Sequence, residues 1–328
     1  MMKIDIPYYE DNSRISNSTI GWYLSKGPQY LKGMLDGVEK GISAPQLEKG
    51  TMIHEYILQP DEFWRDYEIA DYKVPTTEKQ KEFCKLVNES TELLQDDKLS
   101  KAYKTVYVTN KMSDEIILVK AKQMYDDYKS YIDSLSPDKN KKAITWSDYR
   151  MLEQIKDNIS KHKAAKELLD NQEFECHNEF HINWEWHCKQ QDYTVPCKSL
   201  LDRVKIDHVN RKIILIDLKT TSYIYDFKHS VETFKYFRQM AYYSMALTWY
   251  FKDLGFDIDD YDFEIYIIAI STSTYEVRVF DMLNEQELLT QSRIIVSALS
   301  DISYNLKNNI WEYTREYYEG NGIETLDN

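Results

Sequence analysis

The sequence predicts a chain of the α/β (α+β) class, in which a mainly helical first half precedes a strand-rich second half. In the first half, apolar residues recur at helical spacing, as Leu152, Ile155 and Ile159 do. Near residue 172 the pattern changes to runs rich in aromatic and β-branched residues, which are typical of strands. We therefore expect a mainly helical region over 1–170, a sheet-containing core over 171–306 and a tail over 307–328.

Capping residues and chain breakers place the elements of the first half. Serine or threonine stands at the expected start of most of these helices, and a break near Gly27-Pro28 interrupts the first helix. The elements expected here are helices at about 16–35, 45–58, 76–94 and 113–135, a helix from 147, and a short strand at 67–70.

The second half is expected to contain most of the strands. A polar turn at 189–192 separates the first two strands, and polar residues at 208–211 separate the second strand from the third. The elements expected here are strands at about 173–188, 193–207, 212–219, 261–270 and 275–282, and helices at about 234–254 and 284–306.

Charge, cysteine content and hydropathy exclude several classes of protein. The chain of 328 residues has a net charge of −14, which argues against nonspecific coating of nucleic acid but leaves room for a local basic groove. The four cysteines show no CxxC spacing, which argues against a disulfide framework or a zinc knuckle. The N-terminus lacks the apolar core of a signal peptide, and no window is long enough to span a membrane. We therefore expect a cytoplasmic protein with no membrane partner.

The strand expected at 212–219 carries two charged residues at the end of an apolar run. Strand side chains alternate between faces, so Asp217 and Lys219 project from the same face as Leu215. The run is apolar on both faces, which predicts a strand that is buried on both sides. A carboxylate and an ammonium group are therefore expected next to each other at the end of a buried strand.

Asp202 on the preceding strand shares that face, and two registers of the hairpin are open. If residues 209–210 form the loop, Asp202 faces Asp217; if residues 210–211 form it, Asp202 faces Lys219. Two carboxylates directly opposite each other repel, and a divalent cation is the simplest compensation. Hard oxygen ligands suit Mg²⁺ or Mn²⁺. The second register would instead give a structural ion pair between Asp202 and Lys219.

Two further pairs of residues lie one helical turn apart. Gly50 and His54 share a face of the helix expected at 45–58, and a glycine there would let another backbone approach a histidine. The alternative is a core histidine beside a packing glycine. Gln239 and Tyr243 share a face of the helix expected at 234–254, where they could bind a phosphate or form an ordinary buried polar contact.

Taken together, these features resemble the PD-(D/E)XK nuclease superfamily, and most closely its phage RecE-like and RecB-like exonuclease branch. Asp202 matches the first aspartate of that pattern, and Asp217-Leu218-Lys219 matches its (D/E)XK triplet. The elements that match in order are Gly50-x-x-x-His54, Glu179, Lys198-x-x-x-Asp202, Asp217-Leu218-Lys219 and Gln239-x-x-x-Tyr243. Leu200 replaces the basic residue often found two positions before the first aspartate, although Lys198 keeps a positive charge nearby.

The resemblance implies a restriction-endonuclease-like core, with a central mixed β-sheet flanked by helices and an N-terminal helical region. It implies that Asp202 and Asp217 hold Mg²⁺, with Mn²⁺ as an alternative, and that His54 is a further ligand. Lys219 would orient or deprotonate the attacking water or stabilise the phosphorane, and Glu179 would complete the acidic cluster. The resemblance gives Gln239 and Tyr243 a catalytic role beside Lys219.

The function that the resemblance implies is a metal-dependent DNA exonuclease acting on double-stranded ends in phage-type recombination. It further implies a homo-oligomer and a single-strand-annealing protein as partner. Three alternatives remain open at this point: a structure-specific endonuclease, a catalytically silent DNA-binding or assembly protein with the same fold, and a structural helical protein whose hairpin holds only an ion pair.

Overall fold

A computed structural model describes residues 6–39, 45–135, 141–171 and 174–324. The chain forms two compact units. The first, here called the sheet unit, comprises residues Met1–Ser43 and Asn158–Asn328, and the second, the helical unit, comprises Ala44–Asp157. Residues 6–39, which the sequence pattern groups with the helices, therefore belong to the sheet unit. The division into domains at residues 170 and 306 stays a prediction.

The helices agree closely with the capping residues in the sequence. Ser16, Thr77, Ser113 and Asn284 each accept a hydrogen bond from a backbone N–H of the first turn that follows them. The helices of the described residues are α1 (Asn17–Leu35), α2 (Pro45–Leu58), α3 (Pro60–Asp66), α4 (Glu78–Glu89), α5 (Gln95–Val106), α6 (Asp114–Ser134), α7 (Trp146–Lys161), α8 (Lys163–Leu169), α9 (Phe227–Thr233), α10 (Tyr236–Asp253), α11 (Glu285–Asn308) and α12 (Arg315–Glu319).

In the part of the chain that the structure describes, the strands form two sheets. They are β1 (Tyr67–Ile69), β2 (Lys142–Ile144), β3 (Glu175–Cys188), β4 (Tyr193–Asp207), β5 (Lys212–Thr221), β6 (Asp262–Ser271) and β7 (Val277–Asp281). In the helical unit, β1 and β2 pair in parallel, and α4, α5 and α6 enclose a separate apolar core around Phe83 and Leu99. In the sheet unit, the strand order is β3-β4-β5-β6-β7.

The large sheet is mixed, because β5 and β6 pair in parallel while the other neighbours are antiparallel. One face carries Val204 and Leu215 into a core shared with α1, α10 and α11. On the opposite face, Lys205 donates a hydrogen bond to a carbonyl oxygen of α8. The expected fold class, a mixed sheet flanked by helices, is therefore confirmed. Among the described residues, no helix is both long and apolar enough to cross a membrane.

A buried arginine joins β4 to the chain around α8. Arg203 is only 2% exposed, and its guanidinium donates to the carbonyl oxygens of Leu168 and Asp170 and to the side chains of Asn171 and Asn178. A buried charge is tolerated when such hydrogen bonds replace its water. Arg203 therefore fixes β4 at the residue that follows Asp202.

Replacing Arg203 by alanine is expected to lower the free energy of unfolding by about 3–5 kcal/mol, because the change removes a whole network and leaves a cavity. Urea denaturation of the purified variant measures this loss. Arg211→Ala is the matched control, since Arg211 is exposed and pairs with the exposed Asp260, and such a pair contributes less than about 1 kcal/mol. Equal stability of the Arg203 variant and the native chain would contradict the structural role.

Candidate active site

Three acidic residues lie at one level across three neighbouring strands. The β3–β4 pairs on either side of Glu179 put this residue opposite Asp202. The β4–β5 ladder runs to the pair Arg203–Ile216, and its next step puts Asp202 opposite Asp217. The sheet thus aligns one carboxyl group from each of β3, β4 and β5.

The hairpin between β4 and β5 adopts the first of the two registers considered above. Asp207 pairs with Lys212, and residues 208–211 form the turn, so the loop is centred on residues 209–210. The alternative register, in which Asp202 would face Lys219, is not formed. Asp202 instead accepts a hydrogen bond from the backbone N–H of Leu218, at 2.7 Å from Oδ2. This bond fixes the Asp202 carboxylate at the middle residue of the Asp-Leu-Lys triplet.

Asp202 is partly buried and lies close to a second carboxylate. One carboxylate oxygen of Asp202 is within 4.8 Å of one of Glu179. Burial raises the pKa of Asp202 above its ordinary value, and this effect outweighs the attraction of the Lys219 ammonium and the Leu218 N–H bond. The negative charge of Asp202 is therefore destabilised by burial, and a bound cation would stabilise it.

Asp217 and Lys219 form a close ion pair at the end of β5. Lys219 Nζ lies 2.6 Å from Asp217 Oδ2, and the two side chains are 17% and 0% exposed, respectively. Burial acts to lower the pKa of Lys219, but the Asp217 and Asp202 carboxylates raise it by more. Lys219 is therefore an ammonium group on a mostly buried side chain, beside the two aspartates.

Glu179 occupies a distorted point of β3. Its φ angle is +46°, in the left-handed region that residues with a side chain adopt uncommonly. Such conformations carry a cost and concentrate at functional sites. The distortion interrupts the strand pairing where Glu179 faces Asp202. The spacing in the sequence identified this residue, but no motif in the sequence marks the strained backbone.

Helix α10 lines the site with polar and aromatic groups. Gln239 Nε2 donates to the Tyr243 hydroxyl at 2.8 Å, so the expected pair on one helix face is formed. Burial raises the pKa of Tyr243 well above its ordinary value, and the Asp217 and Asp202 carboxylates raise it further. The Tyr243 phenol is thus a neutral group near both aspartates. Tyr236, which the sequence reading did not single out, places its ring centroid 5.1 Å from Lys219 Nζ.

One residue from the sequence pattern, Lys198, has a structural role instead. Lys198 is buried, and its ammonium donates to the carbonyl oxygens of Tyr8 and Asp11. Lys198 therefore binds the N-terminal segment to β4, and its ammonium group is hydrogen-bonded to that segment. His54 lies on α2 in the helical unit. Its part in a metal site stays a prediction from the resemblance.

The donor groups of the sheet unit fit a divalent metal ion. Glu179, Asp202 and Asp217 offer carboxylate oxygens in one row, and hard oxygen donors are the ligands that Mg²⁺ and Mn²⁺ prefer. The proximity of Glu179 to Asp202 and the raised pKa of Asp202 both favour binding of a cation there. These acidic residues could therefore hold a metal ion.

Comparison with known proteins gives limited information. No family model matches the chain, and no curated protein matches it. Among solved structures, the chain is similar to a protein from Eubacterium rectale that is provisionally described as an exonuclease, with 12% identity, a TM-score of 0.47, and coverage of 100% of this chain and 96% of the other. It is also similar to a protein named SSO0001, with 12% identity, a TM-score of 0.26 and coverage of 67% and 83%. Likenesses at this level carry no argument about activity.

Proposed function

We propose that this protein is a metal-dependent nuclease that hydrolyses phosphodiester bonds in DNA. The observation that carries the proposal is the row of Glu179, Asp202 and Asp217 with the Lys219 ammonium beside it. Phosphodiester hydrolysis needs an activated water and positive charge near the phosphate. A chain that brings three carboxylates and a lysine together at the end of a buried strand supplies the groups for both.

The residues that would hold the metal are Asp202 and Asp217, with the backbone carbonyl of Leu218, Glu179 and His54 as further ligands that the resemblance implies. A bound divalent ion lowers the pKa of its water and neutralises charge on the phosphate. Asp202 is fixed for this role by the Leu218 N–H bond.

The remaining chemistry falls to side chains around this row. The Lys219 ammonium can donate to a phosphate oxygen and stabilise the charge that develops there, because its raised pKa keeps it protonated. This favours an electrostatic role for Lys219 over the alternative role as the base that deprotonates water. Gln239 and Tyr243, joined to each other, can position Lys219 or contact a phosphate.

Exonuclease action on double-stranded ends, and a place in phage-type recombination, follow from the RecE-like resemblance and extend the proposal. The same resemblance supports a homo-oligomer, a cytoplasmic location and a single-strand-annealing protein as partner. A catalytically silent DNA-binding or assembly protein is the second candidate. The full burial of Asp217 favours it, and the net charge of −14 favours an assembly protein over a DNA-binding one.

A cleavage assay on linear, nicked and covalently closed circular DNA tests the proposal. We expect Mg²⁺ to support degradation of linear DNA, excess EDTA to abolish it, and closed circles to resist it. Strong activity in EDTA would contradict a metal-dependent site. Circles cut as fast as linear DNA would indicate an endonuclease, and DNA binding without cleavage of any form would indicate the silent protein.

A further inference from the structure

An aromatic surface continues outward from the catalytic lysine. Phe234 stacks on Tyr236 with ring centroids 5.8 Å apart, and the Tyr236 centroid lies 5.1 Å from Lys219 Nζ. The Phe234 ring is therefore no more than about 11 Å from Lys219 Nζ. Tyr236 is buried, whereas Phe234 is 63% exposed. A large apolar ring thus faces solvent just beyond the site.

A second exposed ring lies on the same side of the sheet. Tyr225 stacks over the Arg278 guanidinium, with Cζ 4.4 Å from the ring centroid. Arg278 pairs with Ala269, and Ala269 pairs with Lys219, so Arg278 is two strands away from the lysine, about 10 Å. Phe227 connects Tyr236 to the strand that carries Arg278. It contacts the Tyr236 ring and stacks against Phe280 of β7.

The backbone around Phe234 is held in an uncommon conformation. Lys235, between α9 and α10, has a φ angle of +56°, in the left-handed region. This turn ends α9 at Phe234 and starts α10 at Tyr236. It leaves Phe234 and Lys235 exposed while Tyr236 is buried under them. This turn presents an aromatic ring and a cation to solvent side by side.

We propose that Tyr225 and Phe234, here called the stacking shelf, bind unpaired nucleobases of the DNA strand whose phosphate lies at Lys219. Exposed aromatic rings bind single strands because every base has a π-face, whereas bases inside a duplex already stack on each other. At 3.4 Å per nucleotide in a stacked strand, 11 Å corresponds to about three nucleotides from Lys219. Lys235, beside Phe234, is suited to a neighbouring phosphate.

This inference rests on the proposed nuclease function and narrows its substrate to a strand that is unpaired near the scissile phosphate. It predicts that the enzyme acts on a frayed or single-stranded end. A blunt, fully paired end would have to open by a few base pairs before its bases reached the shelf.

The test is fluorescence anisotropy with a labelled oligothymidylate of about 12 nucleotides, in EDTA so that the strand stays intact. Phe234→Ala is expected to weaken binding by roughly five- to a hundredfold, since loss of one base–aromatic stack has about that effect. Phe234→Tyr, which keeps a ring, is expected to bind within about twofold of the native chain. A strand with abasic sites in place of bases is expected to bind the native chain weakly.

Phe256→Ala is the matched control. Phe256 is 45% exposed and lies just past the opposite end of α10, beside His208. Its removal is expected to leave single-strand binding unchanged. If the Phe256 and Phe234 variants bind oligothymidylate equally weakly, the proposed stacking shelf is wrong, because the loss of binding is then nonspecific. Thermal melting by circular dichroism checks that each variant is folded, and Tyr225→Ala provides a second, independent test at the other ring.

The outcomes separate the shelf from the nuclease. If the native chain degrades linear DNA with Mg²⁺ but Phe234→Ala and Tyr225→Ala both bind oligothymidylate normally, the shelf is wrong and the proposed function stands. If both variants lose binding while the native chain cleaves no DNA, the shelf stands as a single-strand-binding surface and the proposed function is wrong.

Discussion

Replacing Asp202 by asparagine is expected to reduce metal-dependent cleavage by roughly a thousandfold or more, because a metal ion contributes several kcal/mol to such a reaction. Asparagine has the size of aspartate, and its side-chain oxygen can still accept the Leu218 N–H that Asp202 accepts now. The negative charge alone is lost, and with it the attraction for a divalent ion. Initial rates on linear DNA at saturating Mg²⁺ measure the effect.

The same substitution is expected to leave the fold intact and at least as stable at neutral pH. Burial raises the pKa of Asp202 in the folded chain above its value in the unfolded chain. The folded state therefore holds this proton to higher pH, and stability falls as pH rises from the ordinary pKa of aspartate through the raised value. The asparagine variant lacks this loss. Urea denaturation in EDTA, at neutral pH and at a pH below about 4, measures the difference.

Asp207→Asn is the control for the cleavage measurement. Asp207 lies on the same strand but at the turn, where it accepts hydrogen bonds from the backbone N–H groups of Val209 and Asn210. We expect its replacement to leave cleavage unchanged. Cleavage by the Asp202→Asn variant at the native rate would show that Asp202 has no catalytic or metal-binding role.

The hairpin that carries Asp202, Asp217 and Lys219 could be predicted from sequence because each step depends on neighbouring residues. Alternation sets the face of a strand, and polar residues mark its turn. The register is the one step that this reasoning left open. It depends on the geometry of residues 208–211. A loop placed one residue later would have put Lys219, instead of Asp217, opposite Asp202.

Contacts between distant segments could not be predicted in this way. Lys198 reads as a free charge near Asp202, yet it binds carbonyl oxygens at the N-terminus. Arg203 reads as an ordinary strand residue, yet it organises the chain around α8. The partners of both residues lie far away in the sequence, and no local pattern encodes them.

Two short helices were also not predicted. The sequence pattern predicts no element over residues 95–106 or 220–233, but α5 and α9 form there. Helix α9 has seven residues, which is too short to show a helical period. Helix α5 is mostly polar and is stabilised by packing of Leu99 and Tyr103 in the core of the helical unit. Tertiary packing, more than local propensity, determines such helices.

Replacing Lys219 by methionine is expected to lower the cleavage rate by roughly a thousandfold, the loss seen when a cation is removed from a phosphoryl-transfer site. Arginine keeps the charge in a larger group, so Lys219→Arg is expected to retain a measurable fraction of the rate. Lys212→Met is the control, since Lys212 lies at the opposite end of β5 and pairs with Glu264. It is expected to cleave normally.

The comparison of methionine with arginine also distinguishes the two roles considered for Lys219. Methionine leaves the buried Asp217 beside an apolar group, so we expect a loss of stability of about 3 kcal/mol, and rates must be measured well below the melting temperature of the variant. If Lys219 acts as a cation, arginine exceeds methionine in rate at every pH. If Lys219 acts as a base, both variants are equally inactive, because arginine does not give up its proton. The raised pKa of Lys219, caused by the carboxylates of Asp217 and Asp202, favours the first result.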